Sequence, residues 1–398
     1  MISKRIQKIP ASLTLLIHDR AKRLKAAGVD VISLTVGEPD FDTPAHIKDA
    51  AVAALQEGFT KYTPAEGIPE LRKAFVQRIE EDLDLSYPWE QAIVTNGAKQ
   101  GLYNFFQVAL NPGDEVIVPA PYWLSYPAMI QLAGGVPKII KTTLKEGFKL
   151  TPEKLKKCIT KKTKAVLINS PSNPTGAVYE AEDLKKLVPV LEKRNIWVVS
   201  DDAYYKILYD GLKFISIAAL SEKIFPRTVL FHTCSKSYAM TGWRVGFAAG
   251  PKEIIGAMAV IQSQSTSGVN AIAQKAAVAA VSETRSEEGI KAMVREFDQR
   301  RRLGLAALSG IPDLDCFRPQ GAFYFWVNVS KYFGRSYKGK CIRGSSDFSE
   351  FLINEAHVAV IPGHSSGADQ YIRLSFATSS EHLTQGIARI KSALQKLK

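Results

Sequence analysis

The feature that most constrains the fold is an alternation of short β-rich runs with longer amphipathic stretches through the middle of the chain. The candidate strands are Ala92–Thr95, Glu115–Val118, Ala165–Asn169, Trp197–Ser200 and Val229–His232. Helix-like stretches such as Gln100–Ala109 and Ala181–Lys193 lie between them. This alternation predicts an α/β fold with a mainly parallel central sheet and helices on both faces. In such sheets, ligands bind beyond the carboxyl ends of the strands.

A second, smaller domain is expected because the chain has 398 residues, more than one compact core usually holds. A charged stretch of helical period, residues 284–308, is a candidate linker helix. The runs that follow it, GAFYFWVNV, Val358–Ile361 and YIRLSFA, are typical of strands in an α+β unit. We predict an N-terminal segment (1–45) that joins the small domain, a large domain (46–285) and a small C-terminal domain (286–398).

Composition excludes several classes of protein. The formal charge of +13 is spread along the chain, whereas a nucleic-acid binder would concentrate it, so no nucleic-acid partner is expected. No apolar run approaches the roughly 20 residues of a membrane helix, and the start lacks the apolar core of a signal peptide. We therefore expect a cytoplasmic protein with no membrane partner. The four cysteines form no CxxC pair, so no metal site is predicted.

Polar, aromatic and turn-forming residues follow the later candidate strands, in the runs PAPYW, NSPSNPTG, DDAYY and TCSKSYAMTGWR. Lys236 is unusual because it lies among small residues just past an apolar strand, where a desolvated amine can form a Schiff base. Arg244 and the hydroxyls of Thr233 and Ser235 would make an anion site suited to phosphate. Residues 96–99 (NGAK) lie between a strand and a helix, where backbone N–H groups can bind phosphate oxygens.

Other residues near the strand ends have both a structural and a chemical interpretation. Asp201 could cap a helix or hold a pyridine nitrogen protonated, with Tyr204 pointing the same way. Asn173 lies in a turn-forming run that would also fix its amide. Trp123 could be core or could stack on a flat ring. Arg373, in an apolar run, could form a structural salt bridge or a bidentate clamp on a substrate carboxylate.

Several of these motifs, in this order, resemble the class I and II aminotransferases of fold type I, the aspartate aminotransferase family, in its prokaryote-type subgroup. The resemblance rests on SKSYAMTGWRVGF, NSPSNPTGAVY and VSDDAY, and KYTPAEGIPELR and APYWLSY add to it. It covers nearly the whole chain, from VGEPDFDTP to YIRLSFATS. Motif number and order make it far more specific than any single motif.

The resemblance implies pyridoxal 5'-phosphate as the cofactor and gives roles to the residues around its ring. Lys236 would carry the cofactor as a Schiff base and then move a proton between Cα and C4′. Asp201 would pair with the pyridine nitrogen; its spacing to Tyr204 selects it over the competing Asp202. Tyr204 would contact the ring O3′. Asn173 would contact O3′ as well as the substrate carboxylate, and Trp123 would stack on the ring.

The remaining implied roles concern the phosphate and the substrate. The phosphate would be surrounded by Gly97, Ala98, Lys99, Thr233, Ser235 and Arg244. Tyr62 resembles a tyrosine that reaches the phosphate from the neighbouring subunit, which implies a homodimer with shared sites. The substrate would be bound by Gly37, Trp123, Asn173 and Arg373, with Gly37 and Arg373 receiving the α-carboxylate.

The expected reaction is ping-pong transamination between an L-amino acid and 2-oxoglutarate, with aspartate as the expected amino donor. In the subgroup, a lysine of the N-terminal segment is expected to bind the distal carboxylate. Here that stretch reads QKIPAS, and Lys8 is displaced in register. An aromatic or broad-specificity aminotransferase therefore remains an alternative.

Two other classes also stay open. The motifs around Lys236 do not exclude a β-lyase or a cyclopropane-carboxylate synthase, which use the same cofactor. A non-catalytic basic binding protein that retains the fold is the remaining hypothesis, and the charge of +13 is its only support.

Overall fold

The computed structural model describes residues 2–3, 6–9 and 13–398. Its strands are β1 (Ile32–Ser33), β2 (Ala92–Thr95), β3 (Glu115–Ala120), β4 (Val136–Lys141), β5 (Thr163–Asn169), β6 (Trp197–Asp201), β7 (Thr228–Thr233), β8 (Gly246–Ala249), β9 (Asp315–Phe317), β10 (Tyr324–Asn328), β11 (Ser336–Tyr337), β12 (Lys340–Cys341), β13 (Val358–Ala359), β14 (Ile361–Pro362) and β15 (Tyr371–Ser375).

The α-helices of the described chain are α1 (Leu13–Ala26), α2 (Ala45–Gln56), α3 (Pro69–Leu83), α4 (Ala98–Ala109), α5 (Ser125–Leu132), α6 (Pro152–Cys158), α7 (Ala181–Glu192), α8 (Cys234–Ser237), α9 (Lys252–Ser265), α10 (Ala271–Ser282), α11 (Thr284–Ser309), α12 (Ser345–Glu355) and α13 (Ser380–Leu394). None of them, within the described residues, is both long and apolar enough to cross a membrane.

The large sheet has seven strands in the order β2-β8-β7-β6-β5-β3-β4. The pairs from β7 to β4 are parallel, and only β8 runs antiparallel to its neighbours β2 and β7. The prediction of a mainly parallel α/β sheet is therefore confirmed, and all five candidate strands form. Strands β4 and β8 were not predicted. Strand β8 has the sequence GFAA, which lacks the β-branched residues that indicate a strand.

Strands in the middle of this sheet are apolar on both sides because helices cover both faces. Val166 and Val198 pack into a cluster with residues of α6 and α7. Their chain neighbours Leu167 and Val199 point the other way, into a cluster with residues of α4, α5 and α9. The alternation follows from the two-residue period of a strand, and it leaves the strand ends as the place where polar groups can gather.

A smaller antiparallel sheet has the order β14-β15-β10-β9. It shares a core with residues of α11, α12 and α13, among them Phe297, Phe348 and Leu383. Strand β1 pairs in parallel with β13, and α1 contacts β1, β13 and β14, so the N-terminal segment packs with this part of the chain. The boundaries predicted at 45/46 and 285/286 remain a proposal; α11 begins at Thr284, next to the second one.

Candidate active site

The ends of the central parallel strands open into a cavity of about 310 Å³. Strand β5 ends there with Asn169, β6 with Asp201 and β7 with Thr233. The small sheet closes the other side with Tyr324 of β10 and Arg373 of β15. The full lining is Gly37, Ala98, Lys99, Trp123, Leu124, Ser125, Tyr126, Asn169, Asn173, Asp201, Ala203, Tyr204, Thr233, Ser235, Lys236, Arg244, Tyr324 and Arg373. The cavity thus lies where ligands bind in open α/β sheets.

Lys236 lies on α8, a short helix that begins where β7 ends and is capped by the Thr233 hydroxyl, which accepts a bond from the Ser235 amide (3.1 Å). The Lys236 Nζ donates to the carbonyl oxygen of Gly37. Burial lowers the pKa of this ammonium to about 8; Arg373 and Arg244 lower it further, while Glu38 and Asp201 oppose the shift. About a tenth of Lys236 is therefore a neutral amine at pH 7, and the neutral amine is the form that attacks a carbonyl.

Asp201 is the carboxylate that faces the cavity. Its Oδ2 accepts a hydrogen bond from the Tyr126 hydroxyl (2.6 Å), and its Oδ1 accepts one from the Ala203 amide (3.2 Å). Burial raises the pKa of Asp201 to about 6, against the effect of the Tyr126 hydrogen bond. The competing Asp202 does not line the cavity and accepts from Ser200 instead (2.7 Å). The geometry therefore favours Asp201 for a ligand in this cavity.

Two tyrosines meet in the cavity, although the sequence pointed to only one. The hydroxyls of Tyr204 and Tyr324 are 2.7 Å apart and share a hydrogen bond. Burial raises the pKa of Tyr204 well above its usual value, so the phenol stays protonated and can donate. Tyr324 also lies 4.4 Å, from ring centroid to guanidinium carbon, below Arg373. Tyr324 therefore links the small sheet to Tyr204, which follows strand β6 of the large sheet.

Arg373 is buried, with 5% of its surface exposed. Its Nη1 donates to Asn173 Oδ1 (2.9 Å) and its Nη2 to the carbonyl oxygen of Thr35 (2.8 Å). The Asn173 amide N–H in turn donates to Asn169 Oδ1 (2.9 Å). Among the described residues the Asn173 and Thr35 oxygens are the hydrogen-bond partners of Arg373, neither belongs to a carboxylate, and its Nε has no partner. A buried guanidinium with spare donors is suited to an incoming carboxylate, and Arg373 forms no structural salt bridge with any residue that the structure describes.

One end of the cavity has the properties of an anion site. The twelve-residue helix α4 begins at Ala98, and its N-cap Gly97 has a φ of 76°, a conformation that favours glycine. A Cβ on Gly97 would collide with the Arg244 guanidinium, which donates to the carbonyl oxygens of Thr241 (2.8 Å) and Asn96 (3.2 Å). The helix N-terminus, the guanidinium and the hydroxyls of β7 and α8 thus approach one another closely enough to surround a phosphate.

Trp123 forms the wall next to this end. Its ring meets Tyr126 edge to face, with 5.3 Å between centroids, and one side of it contributes to the cavity lining. The Lys99 Nζ lies 4.9 Å from the Trp123 ring centroid. Burial lowers the pKa of Lys99, and Arg244 lowers it further. The cavity therefore combines a flat aromatic wall with a second lysine at its edge.

All the predicted site residues except Gly97 and Tyr62 line this cavity. Gly97 lies directly behind it as the cap of α4, and Tyr62 lies elsewhere, with 98% of its surface exposed, beside residues 266–272. The sequence reasoning missed Tyr126, Asn169 and Tyr324 as site residues. Tyr126 is the last residue of the run APYWLSY, which the sequence analysis had already connected with the site. That run was therefore a signal that could have identified Tyr126.

Comparison with known proteins places the chain in a family. Residues 29–390 match the family model of aminotransferase class I and II. An aspartate aminotransferase of Geobacillus stearothermophilus is 47% identical over 98% of both chains. A probable aspartate/prephenate aminotransferase of Rickettsia bellii (strain RML369-C) is 44% identical over the full length of both.

The solved structures agree with these relatives. The crystal structure of the aspartate aminotransferase from Rhizobium meliloti superposes with a TM-score of 0.96 at 42% identity, over the whole of both chains. The match thus includes the small sheet as well as the large one. The chain belongs to the class I and II aminotransferases, in the aspartate aminotransferase family.

Proposed function

We propose that the chain binds pyridoxal 5'-phosphate on Lys236 and transfers amino groups from an L-amino acid, aspartate in particular, to 2-oxoglutarate. The observation that carries the proposal is the meeting of three groups in one cavity. These are a buried amine with a lowered pKa, a carboxylate at the end of the neighbouring strand, and a buried arginine whose Nε has no partner in the described part of the chain. Each is costly to bury, and together they match an aldehyde, a pyridine nitrogen and a substrate carboxylate.

The residues present fit the cofactor. Glycine at position 97 lets the Arg244 guanidinium lie against the N-terminus of α4, where a side chain would collide with it. Trp123 offers a flat ring, and Asp201 offers an acceptor at the end of β6. When bound, pyridoxal phosphate supplies an aldehyde carbon and a conjugated ring that accepts the electron pair released at the substrate Cα.

The roles of the protein groups follow from their positions and pKa values. Lys236, with its amine free, would accept the substrate Cα proton as a base and then return it as an acid. Asp201 would hold the ring nitrogen of the cofactor by accepting its hydrogen bond, and Tyr204 would donate one to the ring oxygen O3′. Arg373 and Asn173 hold the α-carboxylate, with the Gly37 backbone closing over it, so that the Cα–H bond is oriented toward Lys236.

Aspartate requires a second cation for its distal carboxylate. Four cationic side chains line the cavity among the described residues: Lys99, Lys236, Arg244 and Arg373. Three of them already have a proposed role: Lys236 with the aldehyde, Arg244 with the phosphate and Arg373 with the α-carboxylate. The backbone N–H groups at the start of α4 would also bind the phosphate. The ammonium of Lys99, beside Trp123, is the cation that remains for a distal carboxylate. Lys8, the lysine of the N-terminal segment, has a side chain outside the described residues.

A second amino acceptor is favoured by the names of the relatives. The Rickettsia bellii protein, 44% identical over its full length, is described as a probable aspartate/prephenate aminotransferase. Prephenate is a 2-oxo acid with a ring carboxylate, so one distal cation would serve both substrates. This supports a broader dicarboxylic specificity, whereas no relative reported above is named as a β-lyase.

The same proposal includes a homodimer with shared sites. Tyr62 is almost completely exposed in the single chain, although a tyrosine ring usually packs against its own chain. A second copy that covers this surface would bring Tyr62 to the phosphate end of the other cavity. The cytoplasmic location expected from the sequence stays a prediction.

The experiment that tests the substrate proposal is a panel of amino donors with 2-oxoglutarate, followed by the same panel with prephenate. We expect aspartate to give the highest kcat/KM and glutamate to form as the product. Turnover of phenylalanine or tyrosine far above that of aspartate would overturn the choice of donor. Release of pyruvate and ammonia without a 2-oxo acid would instead indicate a β-lyase.

A further inference from the structure

Two consecutive carboxylates at the end of β6 lie in opposite environments. Asp201 lines the cavity, whereas Asp202 is completely buried on the other side of the sheet. Successive side chains of an extended segment point to opposite faces, so that one carboxylate meets the cavity and the next meets the core. A buried carboxylate next to a site residue needs a compensating group, or its charge acts on its neighbour.

His232 of β7 is the group placed to compensate Asp202. The parallel register pairs Asp201 with Phe231, so the next residues along both strands, Asp202 and His232, are neighbours. The His232 Nε2 lies 3.5 Å from Asp202 Oδ2, and each of these two buried atoms lacks a hydrogen-bond partner in the described chain. The imidazole is 3% exposed and is enclosed by Phe75 and Tyr205, whose ring centroids lie 5.7 and 4.6 Å from it.

The other polar groups around this pair do not supply the compensation. The Oδ1 of Asp202 accepts from the Ser200 hydroxyl, a neutral donor (2.7 Å). The Tyr205 hydroxyl donates to Asp82 on α3 (2.9 Å). The buried hydroxyl of Tyr87 has no partner among the described residues, and burial together with Asp202 raises its pKa. His232 is therefore the basic group next to Asp202.

We propose that His232 is a positioning residue for Asp201: by directing its Nε2–H at Asp202, it offsets the charge of that carboxylate and keeps Asp201 ionised toward the cavity. The inference rests on the proposed function, in which Asp201 binds the ring nitrogen of pyridoxal phosphate. Burial is the main cause that raises the pKa of Asp201; Asp202 raises it further and His232 lowers it.

The consequence concerns cofactor affinity. Without the imidazole, the uncompensated Asp202 would favour protonation of Asp201, because two adjacent buried carboxylates cannot easily both ionise. A protonated Asp201 no longer attracts a protonated ring nitrogen. Because this loss of cofactor affinity arises from charge, removal of the Asp202 charge should restore the affinity. A loss of affinity caused by poorer packing would not be restored in this way.

The test is the dissociation constant of pyridoxal phosphate, measured by titrating the apoenzyme at one pH. His232→Phe keeps a ring between Phe75 and Tyr205 and removes both nitrogens; we expect it to raise the dissociation constant about tenfold. The double variant His232→Phe with Asp202→Asn, which keeps an acceptor for Ser200, is expected to return within about threefold of the wild-type value. His382→Phe, at an exposed histidine, is the matched control.

An unchanged constant in His232→Phe, or equal constants in the single and double variants, overturns the inference while the proposed function stands. A wild-type apoenzyme that does not bind pyridoxal phosphate overturns both. If His232→Phe does not fold, nitrogen-15 spectra of histidine in the wild-type apoenzyme decide the question, with His232→Gln for assignment. A proton on Nε2 supports the inference, and a proton on Nδ1 alone overturns it.

Discussion

The two walls of the cavity are built in different ways. The wall from the large sheet gathers Asp201, Thr233 and Lys236 because parallel strands end at the same edge. The wall from the small sheet depends on the antiparallel pair β10 and β15, which carries Tyr324 and Arg373. In the proposed function, the first wall supplies groups for the cofactor and the second supplies groups for the substrate. Cofactor binding and substrate binding should therefore be separable by mutation.

The largest effect is expected on the wall from the large sheet. Lys236→Ala removes both the attachment point of the cofactor and the base, so kcat should fall by about 10⁴-fold or more. The absorbance of lysine-bound cofactor should also disappear, as recorded by spectroscopy of the reconstituted variant. Lys157→Ala, at an exposed lysine of α6, is the control and should match the wild type. Full activity in Lys236→Ala would contradict the assignment of this wall.

A smaller effect, of a different kind, is expected on the wall from the small sheet. Arg373→Lys keeps a charge but loses the planar fork, so KM for aspartate and for 2-oxoglutarate should both rise by about 30-fold or more. The dissociation constant of pyridoxal phosphate should stay within about twofold of the wild-type value, because Arg373 makes no cofactor contact in this account. A variant that loses cofactor instead of substrate affinity would show that the two walls are not separable. Arg389→Lys, on the surface beside Asp30, is the matched control.

Lys99 lies at the anion-binding end of the cavity, yet it is proposed to bind the distal carboxylate of the substrate. A variant at this position therefore tests whether its side chain acts on the substrate or on the cofactor. Lys99→Met should lower kcat/KM for aspartate about tenfold relative to that for alanine, since only aspartate has a distal carboxylate. The measurement is the ratio of the two constants in the variant and in the wild type. If the ratio is unchanged and the cofactor dissociates more readily, the Lys99 side chain belongs to the phosphate site instead.

The smallest expected effect is a pH dependence of cofactor uptake. Burial lowers the pKa of Lys236 to about 8, so the reactive neutral amine is the minor form below that pH and the major form above it. The rate of pyridoxal phosphate uptake by the apoenzyme should rise about fivefold from pH 7 to pH 8 and level off above pH 9. A rate that continues to rise beyond pH 10 would indicate an exposed lysine with an ordinary pKa.

The wall from the large sheet could be predicted from the sequence because its residues directly follow apolar strands. Lys236, Asp201 and Asn173 were identified in this way, although Asp201 was distinguished from Asp202 only by the family resemblance. Which of the two faces the cavity depends on the register of β6 against β7 and on the packing of the core around His232. Neither is visible in the local pattern of residues.

The wall from the small sheet was harder to predict. Arg373 stood out as a charge in an apolar run, but Tyr324 did not, because an aromatic residue in GAFYFWVNV is typical of a core strand. Its role depends on a contact with Tyr204, 120 residues away. The role proposed for Tyr62 depends on a second chain. Strand β8 was missed because its small residues form a strand only through pairing with both β2 and β7.

The most direct test of the central claim is to identify the residue that carries the cofactor. The purified chain is incubated with pyridoxal phosphate, reduced with borohydride and digested, and the labelled peptide is sequenced by mass spectrometry. The account predicts a single pyridoxyl group on Lys236, in the peptide that contains CSKSYAMTGWR. A label on Lys99 or on a surface lysine, with Lys236 unmodified, would contradict it.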